Sequence, residues 1–248
     1  MNAARLSRTA HKWLALIVGL QLVLWTVSGF YMVVVDLDFI HGDPLVRNER
    51  PPLVLPPGTF PLAELRQQHR QIREVVLRAL PDGGTPVFEV TTRTGSLLVD
   101  AVTGDVLSPL PQGRIRSLAQ SYYAGAGKIR NVELLNDASS KPLELQEAAL
   151  PVWRVDFDDG YATSFYLHPD TGRLVTRRHR FWRLFDFLWS LHIMDYTTRT
   201  DVNNPLLRTA TVMAVLVSST GLWLTFYSFG FLQRRRQKTT SAKLRASA

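Results

Sequence analysis

The chain has 248 residues, 46% of them hydrophobic, a formal charge of +8 and no cysteine. That length holds one medium domain plus membrane segments, and the missing thiols exclude disulfides, thiolate metal sites, iron–sulfur clusters and haem attached through C-x-x-C-H. Arg5, Arg8 and Lys12 precede one apolar run, and Arg234, Arg235, Arg236, Lys238, Lys243 and Arg245 follow another, so the charge reads as membrane-orienting and no nucleic-acid partner is expected.

Residues 1–12 read as a cytoplasmic N-terminus. Residues 13–35, Trp13 to Val35, contain no charge and one polar amide, Gln21. The run is long enough for a transmembrane helix, which takes about 20 residues. A cleaved leader would have an apolar core of about 7–15 residues ending in an A-x-A-like site. Trp25-Thr26-Val27-Ser28-Gly29-Phe30-Tyr31 offers no such site, so an uncleaved anchor is expected. Residues 36–60 follow as a linker stiffened by Pro51-Pro52 and Pro56-Pro57.

Residues 61–180 read as an extracytoplasmic α+β domain. Apolar spacing at Leu62, Leu65, Ile72, Val75, Val76 and Leu80 predicts a helix over 62–80, ended by Pro81-Asp82-Gly83-Gly84. An internal repeat follows. Pro86-Val87-Phe88-Glu89-Val90 matches Pro151-Val152-Trp153-Arg154-Val155, and second strands are expected at Ser96 to Val99 and Thr163 to Leu167. Each copy then turns, through Thr103-Gly104 or Thr171-Gly172, where glycine supplies the positive φ. A second helix, Arg114 to Tyr123, precedes the second copy, giving two helix/antiparallel-hairpin repeats.

Residues 181–196 predict an amphipathic helix at the membrane–water boundary. Phe181, Phe185, Leu188, Trp189, His192 and Tyr196 form its apolar face, and Arg183, Asp186 and Ser190 lie opposite. Asn203-Asn204-Pro205 is a helix start, and 205–232 form the second span. Its small residues, Thr211, Ala214, Ser218, Gly221, Thr225 and Ser228, share one face suited to close helix packing or to clearance for a flat cofactor. Both spans place a hydroxyl before glycine, at Ser28-Gly29 and Thr220-Gly221. Residues 233–248 are a basic tail. Two basic ends put both termini in the cytoplasm, with the middle outside and the lipid bilayer as the first partner.

Among the histidines, His11 shares a helix face with Gly29, and Ala15, Val18, Leu22 and Trp25 fill that face. It is either an interfacial residue bonded to headgroups or water, or a ligand through a ring nitrogen. His192 sits on an apolar face and needs a hydrogen bond or a metal to offset desolvation. His41, in Ile40-His41-Gly42-Asp43, lies on the same membrane side as His192, either as a loop residue or as its axial partner. His69, His168 and His179 read as surface residues. No nucleophile–base constellation for a hydrolase is present.

The hairpins LLVDAVTGDVL and FYLHPDTGRLV resemble PepSY domains. Arg8-Thr9-Ala10-His11-Lys12-Trp13-Leu14 and the segment Leu191-His192-Ile193-Met194-Asp195-Tyr196, leading to Asn203-Asn204-Pro205-Leu206, resemble the PepSY-associated transmembrane family. Larger members include ferrisiderophore reductases that carry b-type haem and pass electrons across the inner membrane. The resemblance implies a membrane protein of the bacterial inner membrane, with two transmembrane α-helices flanking an extracytoplasmic α+β domain of two PepSY-like repeats. It implies haem b as cofactor, His11 and His192 as iron ligands, and an oxidoreductase-like role in ferric or ferrisiderophore reduction. His11 and His192 belong to opposite leaflets, so two haems are implied, each completed by a homo-oligomer copy or another membrane subunit. A cytoplasmic electron donor is expected, because no nucleotide-binding glycine motif is present. The alternative is a non-catalytic accessory or regulatory protein that binds a periplasmic partner.

Overall fold

The computed structural model describes residues 3–48, 51–69, 71–145 and 150–246, with the side chains of 3–7, Ala10, Ser140 and 230–246 outside the description. The charges of Arg5 and of the basic tail therefore lie outside the described residues. The chain divides into two compact units, 1–34 with 186–248, and 35–185.

The helical unit contains α1 (Ala3–Val34), the end of α5 (Arg180–Ile193) and α6 (Pro205–Ala246). Two stretches, His11–Val34 and Pro205–Phe229, are long and apolar enough to cross a membrane. No proline interrupts either run. The Asn204 side chain accepts from the Leu207 amide at 2.8 Å, so Asn204 caps α6 with Pro205 in the first turn, as the sequence predicts.

On α1 the half-buried or buried positions include His11, Leu14, Ala15, Val18, Gln21, Trp25 and Ser28; on α6 they include Leu207, Ala210, Ala214, Val217, Gly221 and Leu224. Their three- and four-residue spacing gives each helix one packed stripe, with Val18 only 5% and Val217 only 8% exposed. Leu16, Ile17, Leu20, Val23 and Val27 on α1, and Val212, Val215, Leu222 and Phe226 on α6, face outward. Lipid is the solvent that suits such faces.

The small-residue stripe of α6 does not pack as one face. Ala214 and Gly221 lie on the packed stripe, whereas Thr211, Ser218, Thr225 and Ser228 are exposed. Thr211 and Thr225 donate to their own helix, at Leu207 O and Gly221 O, so these hydroxyls need no neighbouring helix.

The second unit is α+β. It holds α2 (Leu37–His41), α3 (Leu62–Gln68), α4 (Gln112–Tyr122) and two antiparallel sheets. One sheet is β1 (Ile72–Ala79), β2 (Pro86–Thr92) and β3 (Ser96–Asp100), in that order. The other is β4 (Lys128–Leu135), β5 (Val152–Asp158), β6 (Ser164–Leu167) and β7 (Leu174–Arg178). The strands expected from the repeated motifs lie in β2, β3, β5 and β6, and Gly104 and Gly172 have φ of 79° and 63° in the turns that follow. Ile115, Leu118 and Ala119 of α4 pack with Val155, Phe165 and Leu167, while Leu65 of α3 packs with Phe88, Val90 and Val99.

The expected helix over 62–80 is overturned. The helix stops at Gln68, and 72–79 form β1, paired Val75↔Val90 and Leu77↔Phe88 against β2. Leu62, Leu65, Ile72 and Val75 match a helical period, but Val75 and Val76 are β-branched and pairing of this stretch with a strand overrides the period. Pro81-Asp82-Gly83-Gly84 is therefore part of the turn between β1 and β2, closed by Leu80 N to Thr85 O at 2.8 Å.

The face assignment of α5 also changes. Ser190 and Ile193 are its buried residues, and Asp186 and Arg183 are engaged by Arg199 and Glu144, so the face read as polar and outward is a packed face held by ion pairs. Leu184 and Phe187 are exposed instead.

His179, read as a surface residue, is fully buried. Its Nε2 donates to Phe39 O at 2.9 Å and Ile40 O at 3.2 Å, among the rings of Phe39, Tyr161 and Phe181. It ties α2 to the sheet unit, and its neighbouring arginines in sequence gave no sign of this.

Candidate functional site

The helical unit places a histidine against a neighbouring helix at each of two levels, His192 of α5 against α1 and His11 of α1 against α6. At the first, His192 stands in the last turn of α5. Its Nδ1 lies 2.8 Å from the hydroxyl of Ser28, which is 1% exposed. The Trp25 indole N–H donates to His192 O at 2.7 Å, and the Gln21 amide donates to Leu191 O at 3.2 Å. These bonds satisfy carbonyls that the end of a helix leaves without an intrahelical partner. Trp189 lies parallel to the His192 ring with centroids 6.4 Å apart, and Trp25 is tilted at 6.5 Å. A Cβ on Gly29 would sit 3.8 Å from His192 Cε1, an ordinary contact, so the imidazole rests beside that glycine.

The connection from α5 to α6 is organised around Asp195. Its carboxylate accepts from the amides of Thr197, Thr198, Thr200 and Asp201, each at 3.1 Å, and from the Thr198 hydroxyl at 2.5 Å. The hydroxyl bond first, then the amides, hold this carboxyl well below the usual aspartate range. Met194 and Arg199 adopt φ of 54° and 58°, a region costly for residues with side chains. The Asp195 bonds, which reach from Thr197 to Asp201, enclose the strained Arg199. Asn204 donates to Ile193 O at 2.9 Å, Trp189 donates to Arg199 O at 3.0 Å, and Arg199 pairs with Asp186.

At the second level, His11 Nδ1 lies 2.9 Å from the Thr220 hydroxyl of α6. A Cβ on the next residue, Gly221, would sit 3.1 Å from His11 Cε1, so glycine there makes room for the ring. A cavity of about 470 Å³ opens beside it, lined by His11, Gly221, Leu224, Thr225, Ser228 and Phe229.

Ser28 and His11 are seventeen positions apart on α1, which at 1.5 Å per residue is about 25 Å along the axis. The two levels therefore lie toward opposite ends of α1. Neither Nε2 makes a hydrogen bond with a described residue. No group of three or more His, Cys, Asp or Glu able to hold a metal occurs among the described residues. Each level therefore offers a single imidazole. A single imidazole does not suit a bare ion that needs a protein cage.

His41 ends α2 in the other unit, with an exposed side chain; its backbone carbonyl accepts from Arg177 Nε at 2.9 Å. His168 Nδ1 accepts from the Asp170 amide at 3.1 Å within a hairpin turn. His69 follows α3 half-buried, its Nε2 enclosed and unpartnered among the described residues. Sequence reading found both hydroxyl–glycine pairs and both histidines but did not join them. It missed the Asp195 network and the Trp25 bond, which depend on contacts between distant segments.

The family described as the PepSY-associated TM region matches residues 8–246. No curated protein and no solved structure matches this chain.

Proposed function

The chain belongs to the PepSY-associated transmembrane family, and from that premise we propose that it is a b-type haem electron-transfer component of the bacterial inner membrane, serving ferric or ferrisiderophore reduction. One observation carries the reading. Two half-buried histidines stand at opposite ends of a membrane helix, each with Nδ1 on a hydroxyl and Nε2 clear of described partners.

Bound haem b supplies a one-electron iron centre, and this cysteine-free chain offers histidine to hold it. His192 would present Nε2 near Trp25 and Trp189, whose ring centroids lie 6.5 and 6.4 Å from the imidazole. His11 would present Nε2 beside the space that Gly221 leaves open. Each level has one ligand from this chain, so a second copy or another membrane subunit completes the coordination. His41, seven residues beyond the end of α1, is the third proposed ligand position. The reading puts 61–180 outside the cytoplasm as a PepSY-like domain, both termini inside, and the electron donor in the cytoplasm.

A second reading, a non-catalytic accessory protein, is favoured by one feature of the α+β unit. Arg47, Arg116 and Lys128 line an open cavity of about 690 Å³ without an acidic partner among the described residues, and Asp82 there is already paired with Arg114. Such a shelf suits an acidic segment of a partner. Protein purified from cells with ample haem separates the two: a Soret band supports the electron-transfer reading, and its absence leaves the accessory one.

A further inference from the structure

The same local device occurs twice in the helical unit. A hydroxyl residue and the glycine after it, Ser28-Gly29 on α1 and Thr220-Gly221 on α6, receive a histidine from another helix. The hydroxyl meets Nδ1, and the glycine lies under Cε1.

Proton bookkeeping in this pair decides the state of the ring. A hydroxyl has one proton to give. The Ser28 hydroxyl lies 2.7 Å from Leu24 O, and the Thr220 hydroxyl lies 2.8 Å from Leu216 O, each one helical turn back. A carbonyl only accepts, so the hydroxyl proton goes there and the oxygen is left to accept from the ring. Nδ1 must then carry the proton. A neutral imidazole has one N–H, so Nε2 holds a bare lone pair. The opposite assignment, with the hydroxyl turned to a bare Nδ1, makes one hydrogen bond where this one makes two. In a segment without water, the arrangement with two is favoured.

We propose that Ser28 and Thr220 are positioning residues that hold His192 and His11 in the Nδ1–H form, aiming a bare Nε2 away from the helix contact. Its use as an iron ligand rests on the haem reading; the tautomer does not. The following glycines allow the rings to approach. At Gly221 the approach is tight, because a Cβ would stand 3.1 Å from His11 Cε1.

The test is nitrogen-15 NMR of the haem-free full chain in detergent, labelled at histidine and read at neutral pH. His11 and His192 should show a protonated Nδ1 and an unprotonated Nε2, in excess by roughly five- to tenfold, the worth of one hydrogen bond. Ser28→Ala should remove that excess at His192 alone, and Thr220→Val at His11 alone. Ser28→Thr and Thr220→Ser, which keep the hydroxyl, should restore it. A wild-type ring with its proton on Nε2, or an excess that survives loss of the hydroxyl, overturns the proposal. The wild-type spectrum decides even where a variant fails to fold. Because no haem is present, failure here leaves the haem reading standing, and absence of a Soret band leaves this one standing.

Discussion

His192 and His11 meet the same kind of hydroxyl–glycine pair, but what surrounds them differs. Around His192, α1 side chains bond two carbonyls at the end of α5, and the following loop is fixed by the Asp195 carboxylate. Around His11, among the described residues, its ring makes one side-chain hydrogen bond, to Thr220, and lines an open cavity of about 470 Å³. One end is preorganised, so a ligand there meets a ring already in place. The other keeps room, so a ligand there meets a ring held at a single point. Two sites with one chemistry are thus given different stiffness by their neighbours.

The contrast breaks most severely at Asp195. Asp195→Ala strands four backbone amides and leaves Arg199, at positive φ, without the bonds that enclose it. Thermal unfolding should show the largest loss of this set, with His192 resonances broadened and those of His11 unchanged. Equal broadening at both rings would mean that the two ends are not independent.

A smaller effect separates the glycines. Gly221→Ala puts a methyl group 3.1 Å from His11 Cε1, so the ring must shift by a few tenths of an ångström, at a cost of up to about 1 kcal/mol. Gly29→Ala meets His192 at 3.8 Å and should be neutral, or stabilising by up to about 1 kcal/mol through helix propensity. Denaturation midpoints of the two variants check the difference, and the same sign in both would contradict it.

Acid should act on the two units in different ranges. Burial pushes His179 below its ordinary value of 6.5, so its protonation favours the unfolded chain. Its stabilising contribution is present above about pH 6.5 and is lost as pH falls below that. Asp195 is depressed below 3.8 by its hydrogen bonds, so its contribution persists through that range and fades only below about pH 3.8. Hydrogen exchange at pH 7.5 and 5 should show faster opening around Phe39 and Ile40 at the lower pH and little change in the Asp195 loop.

The smallest effect belongs to Ser218, exposed on α6. Ser218→Leu should leave the His11–Thr220 bond intact within the chain and reduce only the oligomeric size in detergent. An unchanged size removes this face as an interface between copies.

Much of this architecture was readable where a local rule applied. The apolar runs, the Asn204-Pro205 helix start, the repeated hairpins and their glycine turns all follow from spacing and turn chemistry. The stretch 72–79 misled because its apolar spacing fits a helix, and only pairing with β2 makes it a strand. At the candidate site, histidines and hydroxyl–glycine pairs were visible separately. Ser28 and His192 stand 164 residues apart, and His11 and Thr220 stand 209 apart, so no local pattern joins them. The burial of His179 and the inward face of α5 were hidden likewise, because arginine-rich neighbours suggest solvent while the fold pairs those arginines with acids and carbonyls.

The most direct test of the central claim is the absorption spectrum of the purified full chain, made with ample haem and read oxidised and reduced. The account predicts a Soret band and sharp reduced b-type bands, with haem content lowered in both His192→Ala and His11→Ala and unchanged in His168→Asn, whose ring lies in a hairpin turn of the other unit. A wild-type protein without a Soret band would contradict the electron-transfer reading outright, and full occupancy in both alanine variants would contradict the assignment of His11 and His192.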